Sequence, residues 1–191
     1  MTQATASRQM TEAEFLALPD DGVRRWLVKG EVREYGMTVR NRQHSQITAR
    51  ISQLLGNWID GRPTPRGEIA DGEAGFRLPG NPPEIVGIDV AYVDADLVAR
   101  GSTDTTLFDG VPILAVEVLS PSDTQEYIRD RVAVLLNAGV KVVWIVNPDD
   151  ETVRVRRKRG AAKTLDNDEE LTTEPELPGF RVQVALLFSR G

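Results

Sequence analysis

The sequence predicts an α/β protein in which a mixed β-sheet carries helices on its faces. Residues 141–146 form a nearly continuous apolar run, typical of strands that are buried on both faces. Apolar residues recur at helical spacing over 47–59, which predicts an amphipathic helix. Two apolar strands at about 85–93 and 111–119 precede a second amphipathic helix at 123–138, and this order predicts a mixed sheet with helices packed on it.

Local signals place the remaining elements. Gly61-Arg62-Pro63 ends the long helix, and Gly139 stands where a helix C-cap favours glycine. We expect one domain over residues 11–191, preceded by a flexible N-terminus at 1–10. Before the long helix we expect a short helix opened by a capping box at 11–14 and a hairpin over 24–35 that turns at Lys29-Gly30. After it we expect two short strands over 67–79 and a polar loop over 94–110. The C-terminal part is expected to contain an alternating strand with Val153 and Val155 and an acidic segment over 166–176.

The composition excludes several classes of site. The 191 residues include 23 Lys and Arg, 29 Asp and Glu, one His and no Cys. The lack of Cys excludes disulfide frameworks, zinc fingers, iron–sulfur clusters and cysteine nucleophiles, and a single His excludes a multi-histidine metal site. A metal would be held by oxygen, which favours Mg²⁺ or Mn²⁺. The net charge of −6 argues against a non-specific nucleic-acid coat, although an enzyme with a local basic patch is compatible with it.

The sequence favours a cytoplasmic location. No stretch reaches the roughly 18 apolar residues of a transmembrane helix, so we expect no membrane partner. Met1 to Met10 lacks the apolar core of a secretory signal. The absence of Cys is also compatible with a reducing compartment.

Two carboxylates, Asp89 and Glu117, interrupt apolar strands. An ionised carboxylate in such a strand is costly unless it is paired. Two of them on neighbouring strands would repel each other unless a cation lay between them, and a divalent metal there would polarise a phosphate and activate water. For either residue alone, a strand end, a helix cap or an Arg partner is the simpler interpretation. The pair, near the C-terminal ends of two apolar strands, favours a functional site.

Several short segments follow one another in a fixed order. They are Lys29-Gly30-Glu31-Val32, His44, Gly72–Leu78, Gly87–Val93, Leu114–Asp123, and Ala138-Gly139-Val140 with Trp144–Pro148. The Glu-Val-Leu-Ser-Pro-Ser-Asp run, with Trp-Ile-Val-Asn-Pro downstream, is the most specific part. With these segments the chain resembles the Uma-two family of putative restriction endonucleases, within the PD-(D/E)xK nuclease superfamily, over roughly residues 12 to 188.

The resemblance implies a fold, a cofactor and a set of site residues. The fold is a restriction-endonuclease-like central mixed β-sheet flanked by helices, and the activity is Mg²⁺-dependent cleavage of phosphodiester bonds in nucleic acid, with DNA as the expected partner. Asp89 matches the metal-binding Asp of the motif, although Ile88 replaces the Pro that often precedes it. Glu117 matches the second acidic residue, and the Val118 carbonyl would add a metal ligand. Glu31 matches an N-terminal acidic residue that completes many such sites.

The basic residue of the family motif is displaced in this chain. A standard motif has a Lys two residues after Glu117, where this chain has Leu119. The resemblance implies that in this family the Lys lies on the following helix, and the matching position here is Arg131. Arg can hold a phosphate or stabilise developing negative charge, but it cannot be a general base at neutral pH. Lys141, at a strand start, is a poorer spatial candidate. The site is therefore either weakened or works through a metal-activated water with Arg131 as an electrostatic clamp.

His44, Ser120 and Ser122 are the candidates for substrate contact. His44 stands one turn before Ile47, in line with the apolar stripe of its helix, where a lone His is more often structural. The family match adds a role at a phosphate or at a metal water. Ser120 and Ser122 follow the strand that carries Glu117. We expect Ser122 or Asp123 to be the N-cap of the next helix first, and a substrate contact only second.

A basic run from Arg154 to Arg159 has two interpretations. Its charges would suit the backbone of DNA. They would equally suit a solvated edge strand whose charges discourage edge-to-edge pairing, and this is the interpretation that the sequence favours.

Three functions fit these observations. The leading one is a metal-dependent endonuclease. The second is a catalytically degenerate nuclease fold that acts as a nucleic-acid or protein-binding module, which the missing Lys and the acidic pI favour. The third is an accessory protein of a mobile element or defence system that requires a partner. A homodimer is expected only because soluble oligomers are so commonly symmetric pairs.

Overall fold

The computed structural model describes residues 9–37, 41–101, 106–121 and 123–189. None of the helices within these ranges is long and apolar enough to cross a membrane. The helices and strands are, in chain order, α1 (Glu12–Leu16), β1 (Val23–Val28), β2 (Glu31–Met37), α2 (Arg42–Asp60), β3 (Glu68–Leu78), β4 (Glu84–Val93), α3 (Ala95–Arg100), β5 (Phe108–Asp109), β6 (Leu114–Val118), α4 (Gln125–Ala138), β7 (Val142–Asn147), β8 (Thr152–Arg157), β9 (Lys163–Leu165), β10 (Glu170–Thr172), β11 (Arg181–Gln183) and α5 (Ala185–Phe188).

A mixed sheet organises the chain. Its strands run in the order β2-β1-β4-β6-β7-β8-β9, β3 pairs with the other edge of β4, and β5 pairs with β3. β6 and β7 are parallel, whereas β1–β2, β3–β4, β4–β6 and β7–β8 are antiparallel. The parallel pair is joined by α4, which is the crossover that parallel strands need. The predicted α/β class, with a mixed sheet and helices packed on it, is therefore confirmed.

Apolar side chains cover both faces of the sheet, because successive residues of a strand point to opposite faces. On one face Ile145 of β7 belongs to the same apolar cluster as Leu135 of α4. On the other face Trp144 of β7 belongs to a cluster with Ile51 of α2. Full burial of side chains of this size stabilises the fold by about 1.5–3 kcal/mol each. The two clusters explain the continuous apolar run at 141–146 and hold α4 and α2 on opposite faces.

Three local signals read from the sequence are confirmed. Thr11 opens α1 with both hydrogen bonds of a capping box. β1 and β2 form a hairpin whose turn residues, Lys29 and Gly30, both have positive φ angles. Gly139 ends α4 in the left-handed conformation, at φ 115°, which glycine adopts without a steric penalty.

Two segments differ from the expectation. Residues 67–79 hold one strand, β3, instead of two, and its pairing with β4 is irregular between Asp71 and Ala74. Such an irregularity interrupts the alternation of side chains between the two faces of the sheet. In the sequence this interruption looks like the boundary between two strands. The expected polar loop contains α3 and β5, because Asp94 caps α3 by accepting a hydrogen bond from the Leu97 amide at 2.8 Å.

Two strands share one edge of β4, and their junction positions the candidate site. β1 pairs with β4 at Leu27↔Ile85, and β6 pairs with it at three positions that begin at Val90↔Val116. Both are antiparallel to β4, so the end of β6 and the start of β1 meet beside residues 86–89. Side chains from all three strands converge at this point.

Candidate functional site

Asp89 of β4 and Glu117 of β6 lie side by side in the interior. The ladder pairs Val90 with Val116, so the residue before Val90 and the residue after Val116 are cross-strand neighbours. Asp89 is 2% exposed and Glu117 is 3% exposed. The amide of Val118 donates a hydrogen bond to Oδ2 of Asp89 at 2.9 Å. Two carboxylates this close to each other require a cation nearby.

Arg24, at the start of β1, supplies one such cation. Its Nη2 lies 3.5 Å from Oδ1 of Asp89 and 3.4 Å from Oε2 of Glu117. The same atom lies 3.3 Å from the carbonyl oxygen of Gly87. The side chain is as buried as the acids, so the guanidinium acts as an internal counter-ion for both of them.

Arg131, on α4, supplies a second cation. Its Nη2 forms an ion pair with Oε2 of Glu117. Its guanidinium lies 5.2 Å from the centroid of the Trp26 ring, and that of Arg24 lies 6.0 Å from the same ring. The fully buried indole of Trp26 therefore supports both cations through cation–π attraction.

His44, in the first turn of α2, approaches the oxygen of Asp89 that Arg24 does not contact. Its Nε2 lies 3.4 Å from Oδ2 of Asp89, whereas Arg24 faces Oδ1. Burial acts to raise the pKa of Asp89, but the His44 hydrogen bond and the charges of Arg24 and Arg131 outweigh it. The pKa of Asp89 is therefore held well below its usual value, and the carboxylate is ionised at neutral pH. Asn41 fixes this turn by accepting a hydrogen bond from the His44 amide.

Glu73 holds Arg24 from the strand on the other side of β4. Its Oε2 lies 2.6 Å from Nε of Arg24. Glu73 has a φ of 63°, within the irregular part of β3, and this conformation is unfavourable for a residue with a side chain. A Cβ on Gly87 would lie 2.8 Å from Glu73 Oε2, so glycine is needed there for Glu73 to reach across. Strain and close approach at one place are typical of functional sites.

The structure brings together four of the residues that the sequence identified. Asp89, Glu117, Arg131 and His44 are all buried and are linked by the contacts above. His44 lies in the first turn of α2, which begins at Arg42, and it is buried on the same helix as Ile47 and Ile51.

Glu31 is not brought to this site. It is exposed and pairs with Val28 next to the hairpin turn, whereas Arg24 pairs with Tyr35 four residues further along β2. At about 3.3 Å per residue, this separates Glu31 from the level of Arg24 by about 13 Å. Glu31 followed the family pattern in sequence, but the hairpin directs it away from Asp89 and Glu117.

The segment after β6 is arranged differently from the expectation. Thr124 is the N-cap of α4, and its side chain accepts a hydrogen bond from the Tyr127 amide. Asp123 instead accepts a hydrogen bond from the Ser120 amide at 2.8 Å, which closes the turn between β6 and α4. Ser120 is half-buried in this turn, and Ser122 lies outside the described residues.

Lys141 lies at the other end of the sheet. It precedes β7, which runs parallel to β6 with Val142 beside Leu114, whereas Glu117 is near the end of β6. Its side chain is exposed. The structure thus places Lys141 away from the carboxylates.

Sequence reasoning missed Arg24 and Glu73. A signal for Arg24 was present, because a charged residue alternates with Trp26 and Val28 on the buried face of β1. For Glu73 the signal was the preceding Gly72 within a strand pattern, which is typical of a bulge.

The carboxylate pair has the donor chemistry of a Mg²⁺ site. Oε1 of Glu117 is buried and has no hydrogen-bond partner among the described residues. Within the same residues, no group of three or more acidic or histidine side chains is placed to hold a metal ion. Mg²⁺ is commonly bound by only one or two carboxylates, with waters and substrate phosphates completing its octahedral shell. Asp89 and Glu117 fit that pattern.

The comparisons with known proteins agree with the fold and with the sequence resemblance. Residues 12–185 match the model of the Uma2 family, described as putative restriction endonuclease. Among solved structures the chain is similar to a putative nuclease belonging to DUF820 from Anabaena variabilis ATCC 29413, with a TM-score of 0.79 and 19% sequence identity. The similarity covers 94% of this chain and 97% of that chain. No curated protein matches the chain. The restriction-endonuclease-like fold and the resemblance to the Uma-two family are confirmed.

Proposed function

Because the chain belongs to the Uma2 family of putative restriction endonucleases, we propose that it is a metal-dependent endonuclease that hydrolyses phosphodiester bonds of nucleic acid, with DNA as the preferred substrate. The observation that carries this proposal is the buried pair of Asp89 and Glu117 with an unpartnered Oε1 on Glu117. Buried carboxylates at the end of a sheet, with one oxygen left without a donor, favour a cation site over a purely structural ion pair.

Asp89 and Glu117, with the Val118 carbonyl, would hold Mg²⁺ or Mn²⁺. When bound, such an ion polarises a phosphate oxygen and makes a water more nucleophilic at neutral pH. The low pKa of Asp89 keeps its carboxylate ionised and ready for the cation. The Val118 amide and His44 both face Oδ2 of Asp89 and so fix the orientation of this carboxylate.

Arg24 and Arg131 would neutralise negative charge at the site. Both guanidiniums face Oε2 of Glu117. Neither can act as a general base at neutral pH. We assign Arg131 the stabilisation of charge that develops on the phosphate, and we assign Arg24 the balance of charge before the cation binds. Glu73 positions Arg24.

A catalytically degenerate nuclease fold that binds nucleic acid or protein is the second candidate. The observation in its favour is that Arg24 and Arg131 already neutralise the two carboxylates, as a fold without a metal would require. The absence of a Lys at position 119 points in the same direction.

A nuclease assay with matched DNA and RNA substrates separates the two candidates. Purified protein is incubated with supercoiled plasmid, single-stranded DNA and RNA in Mg²⁺, in Mn²⁺ and in EDTA. We expect cleavage of DNA that requires the metal and is lost in Glu117→Gln, whereas Glu31→Gln cleaves as the unmodified protein does. If no substrate is cut under any condition, the binding module replaces the endonuclease.

The other expectations from the sequence stay proposals. We propose that residues 11–191 form one domain, that the protein works in the cytoplasm, and that it forms a homodimer. Sedimentation velocity at several protein concentrations tests the dimer. We expect one species with twice the chain mass of 21.1 kDa.

A further inference from the structure

β8 is an interior strand over residues 153–155, and this changes the interpretation of the charge at Arg154. It pairs with β7 over its whole length and with β9 over three positions, where Arg154 lies opposite Thr164. A strand that is paired on both sides does not need charges to prevent edge-to-edge pairing. The edge-strand interpretation that the sequence favoured for Arg154 is therefore wrong.

Arg154 lies on the same face of the sheet as Glu117. The register places Glu117 beside Ile145, and Ile145 beside Arg154. Residues directly opposite each other point to the same face. Neighbouring strands are about 4.8 Å apart, so the backbone of Arg154 lies about 10 Å from that of Glu117. Val153 and Val155 are buried on the opposite face.

A groove lies between the end of the Glu117 strand and β8. It has a volume of about 360 Å³ and is lined by Leu119, Ile145, Arg154 and Thr164, with Gln125 of α4 on its wall. Leu119 follows the end of the strand that carries Glu117. The groove therefore begins beside the carboxylate strand and reaches β8 and β9.

The arginines of β8 on this face have no ion-pair partner in the part of the chain that the structure describes. Arg154 and Arg156 are both exposed. Arg157, which points to the other face, instead contacts Glu176 at 2.7 Å. In a chain with an excess of acids, two successive arginines on one face of a strand, neither with an acidic partner, favour a ligand with negative charge.

Arg129 is a third exposed cation, on the helix whose residue Gln125 lines the groove. It follows Gln125 by four residues on α4, which places both on one side of the helix. Asp130, on the flank facing the first hairpin, contacts Arg33 at 3.4 Å. Arg129 is exposed and, like Arg154, has no ion-pair partner within the described ranges.

Two acids also line the groove. Asp150, in the turn between β7 and β8, accepts a hydrogen bond from Asn147 at 2.7 Å, and Asp166 directly follows β9. Both lie at the ends of strands. Arg154 lies in the middle of β8 and lines the groove, and Arg156, the penultimate residue of the strand, extends the positive charge along the same face into a cationic strip.

We propose that a nucleic-acid strand runs from the carboxylate site across this groove, and that Arg154, Arg156 and Arg129 contact its phosphates. The proposal rests on the proposed function, because a phosphate beside Asp89 and Glu117 fixes where the strand begins. Arginine binds phosphate through paired N–H donors, and backbone contacts of this kind supply affinity without sequence preference.

Salt-dependent binding tests the strip without any cleavage. The affinity of the protein for fluorescein-labelled single-stranded and duplex DNA is measured by anisotropy in EDTA over a range of salt concentrations. We expect Arg154→Gln with Arg156→Gln to weaken binding at least tenfold at low salt. The slope of log K against log salt should fall by about 1.4 for single strands or about 1.8 for duplex, the loss expected for two phosphate contacts.

The matched control is Arg50→Gln with Arg181→Gln. It removes the same charge from α2 and β11, away from the groove, and should leave the slope unchanged. If the β8 double variant does not fold, as judged by thermal unfolding, Arg129→Gln alone should reduce the slope by about 0.7 to 0.9.

The outcomes for the strip and for the nuclease are distinguishable. Equal slopes for the β8 variant and its control, or no DNA binding by the unmodified protein, overturn the proposed strip. Cleavage of DNA together with unchanged slopes would support the endonuclease and contradict the proposed strip. A reduced slope in a protein that cuts nothing supports the strip and favours the binding module.

Discussion

Nη2 of Arg24 lies 3.4 Å from Oε2 of Glu117, the same carboxylate oxygen that Arg131 contacts. The two arginines therefore share one oxygen, while Oε1 of Glu117 is buried without a hydrogen-bond partner among the described residues. This arrangement balances the charge of two buried acids and leaves one oxygen available to a cation. The two arginines thus stabilise the buried acids in the metal-free protein.

Arg24→Met should destabilise the metal-free protein and tighten metal binding. The substitution keeps the approximate length of the side chain but removes a counter-ion from Asp89 and Glu117. Breaking a buried ion pair costs about 3 kcal/mol, and a divalent cation can replace the lost charge. We expect a lower Tm in EDTA and at least a tenfold lower Kd for Mn²⁺, measured by calorimetric titration.

Arg25→Met is the matched control for Arg24. Arg25 is the next residue, but its partners are Asp21 and Glu34 at the surface. Metal affinity should not change in this variant. An unchanged Kd in Arg24→Met would show that Arg24 does not occupy the cation position.

Substitution of Arg131 should reduce the rate of turnover more than it disturbs the folded structure of the site. We expect Arg131→Met to lower kcat by about 100- to 1000-fold, as the loss of a group that stabilises developing charge does. Arg131→Lys keeps one positive charge and should retain part of the activity, although less than Arg because the paired donors are lost. Single-turnover cleavage of labelled DNA measures both variants. If Arg131→Lys cleaves DNA faster than the unmodified protein, Arg131 impairs catalysis instead of supporting it.

His44 should act through Asp89. We expect His44→Leu to weaken Mn²⁺ binding by about 10- to 100-fold, because outer partners of a ligand fix its orientation. His44→Gln keeps an N–H donor and should recover part of the affinity. Anisotropy of labelled DNA in EDTA should be the same for both variants, since His44 is buried behind Asp89. A loss of DNA binding with normal metal affinity would make His44 a substrate contact instead.

The Arg157–Glu176 pair predicts a pH-dependent part of stability. Burial acts to raise the pKa of Glu176, but the hydrogen bond and charge of Arg157 outweigh it, and the pKa lies below its usual value of 4.5. A lowered folded-state pKa stabilises the protein above pH 4.5, and this contribution is lost as the pH falls through the lowered value. Glu176→Gln should therefore cost about 1–2 kcal/mol at pH 7 and progressively less as the pH falls below 4.5, measured by urea unfolding.

Glu170→Gln provides the comparison for this surface. Its partner Arg181 is largely exposed, and such pairs contribute about 0–1 kcal/mol. Equal losses in the two variants, or a loss in Glu176→Gln that does not depend on pH, would contradict the assignment.

The sequence predicts the sheet, the main helices and the acidic pair because each depends on local pattern. Asp89 and Glu117 stand out in apolar strands regardless of which strands become neighbours. Arg24 and Glu73 depend on tertiary arrangement. Their contact requires the junction of β1 and β6 on one edge of β4 and the irregularity of β3 on the other. Glu31 shows the reverse case, in which a local match to a family pattern does not decide where a hairpin directs a side chain.

The basic run shows the same dependence on neighbours. Alternation within residues 153–157 correctly predicts which side chains are buried. Whether the strand lies at the edge depends on β9, a strand of three residues with little apolar signal. Because β8 pairs with β9 at Arg154, the charge of Arg154 is not needed to protect a sheet edge and is available for the proposed ligand contact.

The most direct test of this account is calorimetric titration of Mn²⁺ into the unmodified protein, Asp89→Asn and Glu31→Gln. We predict saturable binding to the unmodified protein, at least 100-fold weaker binding to Asp89→Asn, a difference of about 2.7 kcal/mol, and unchanged binding to Glu31→Gln. Equal affinity in the unmodified protein and Asp89→Asn, or an equal loss in Glu31→Gln, would contradict a metal site built on Asp89 and Glu117.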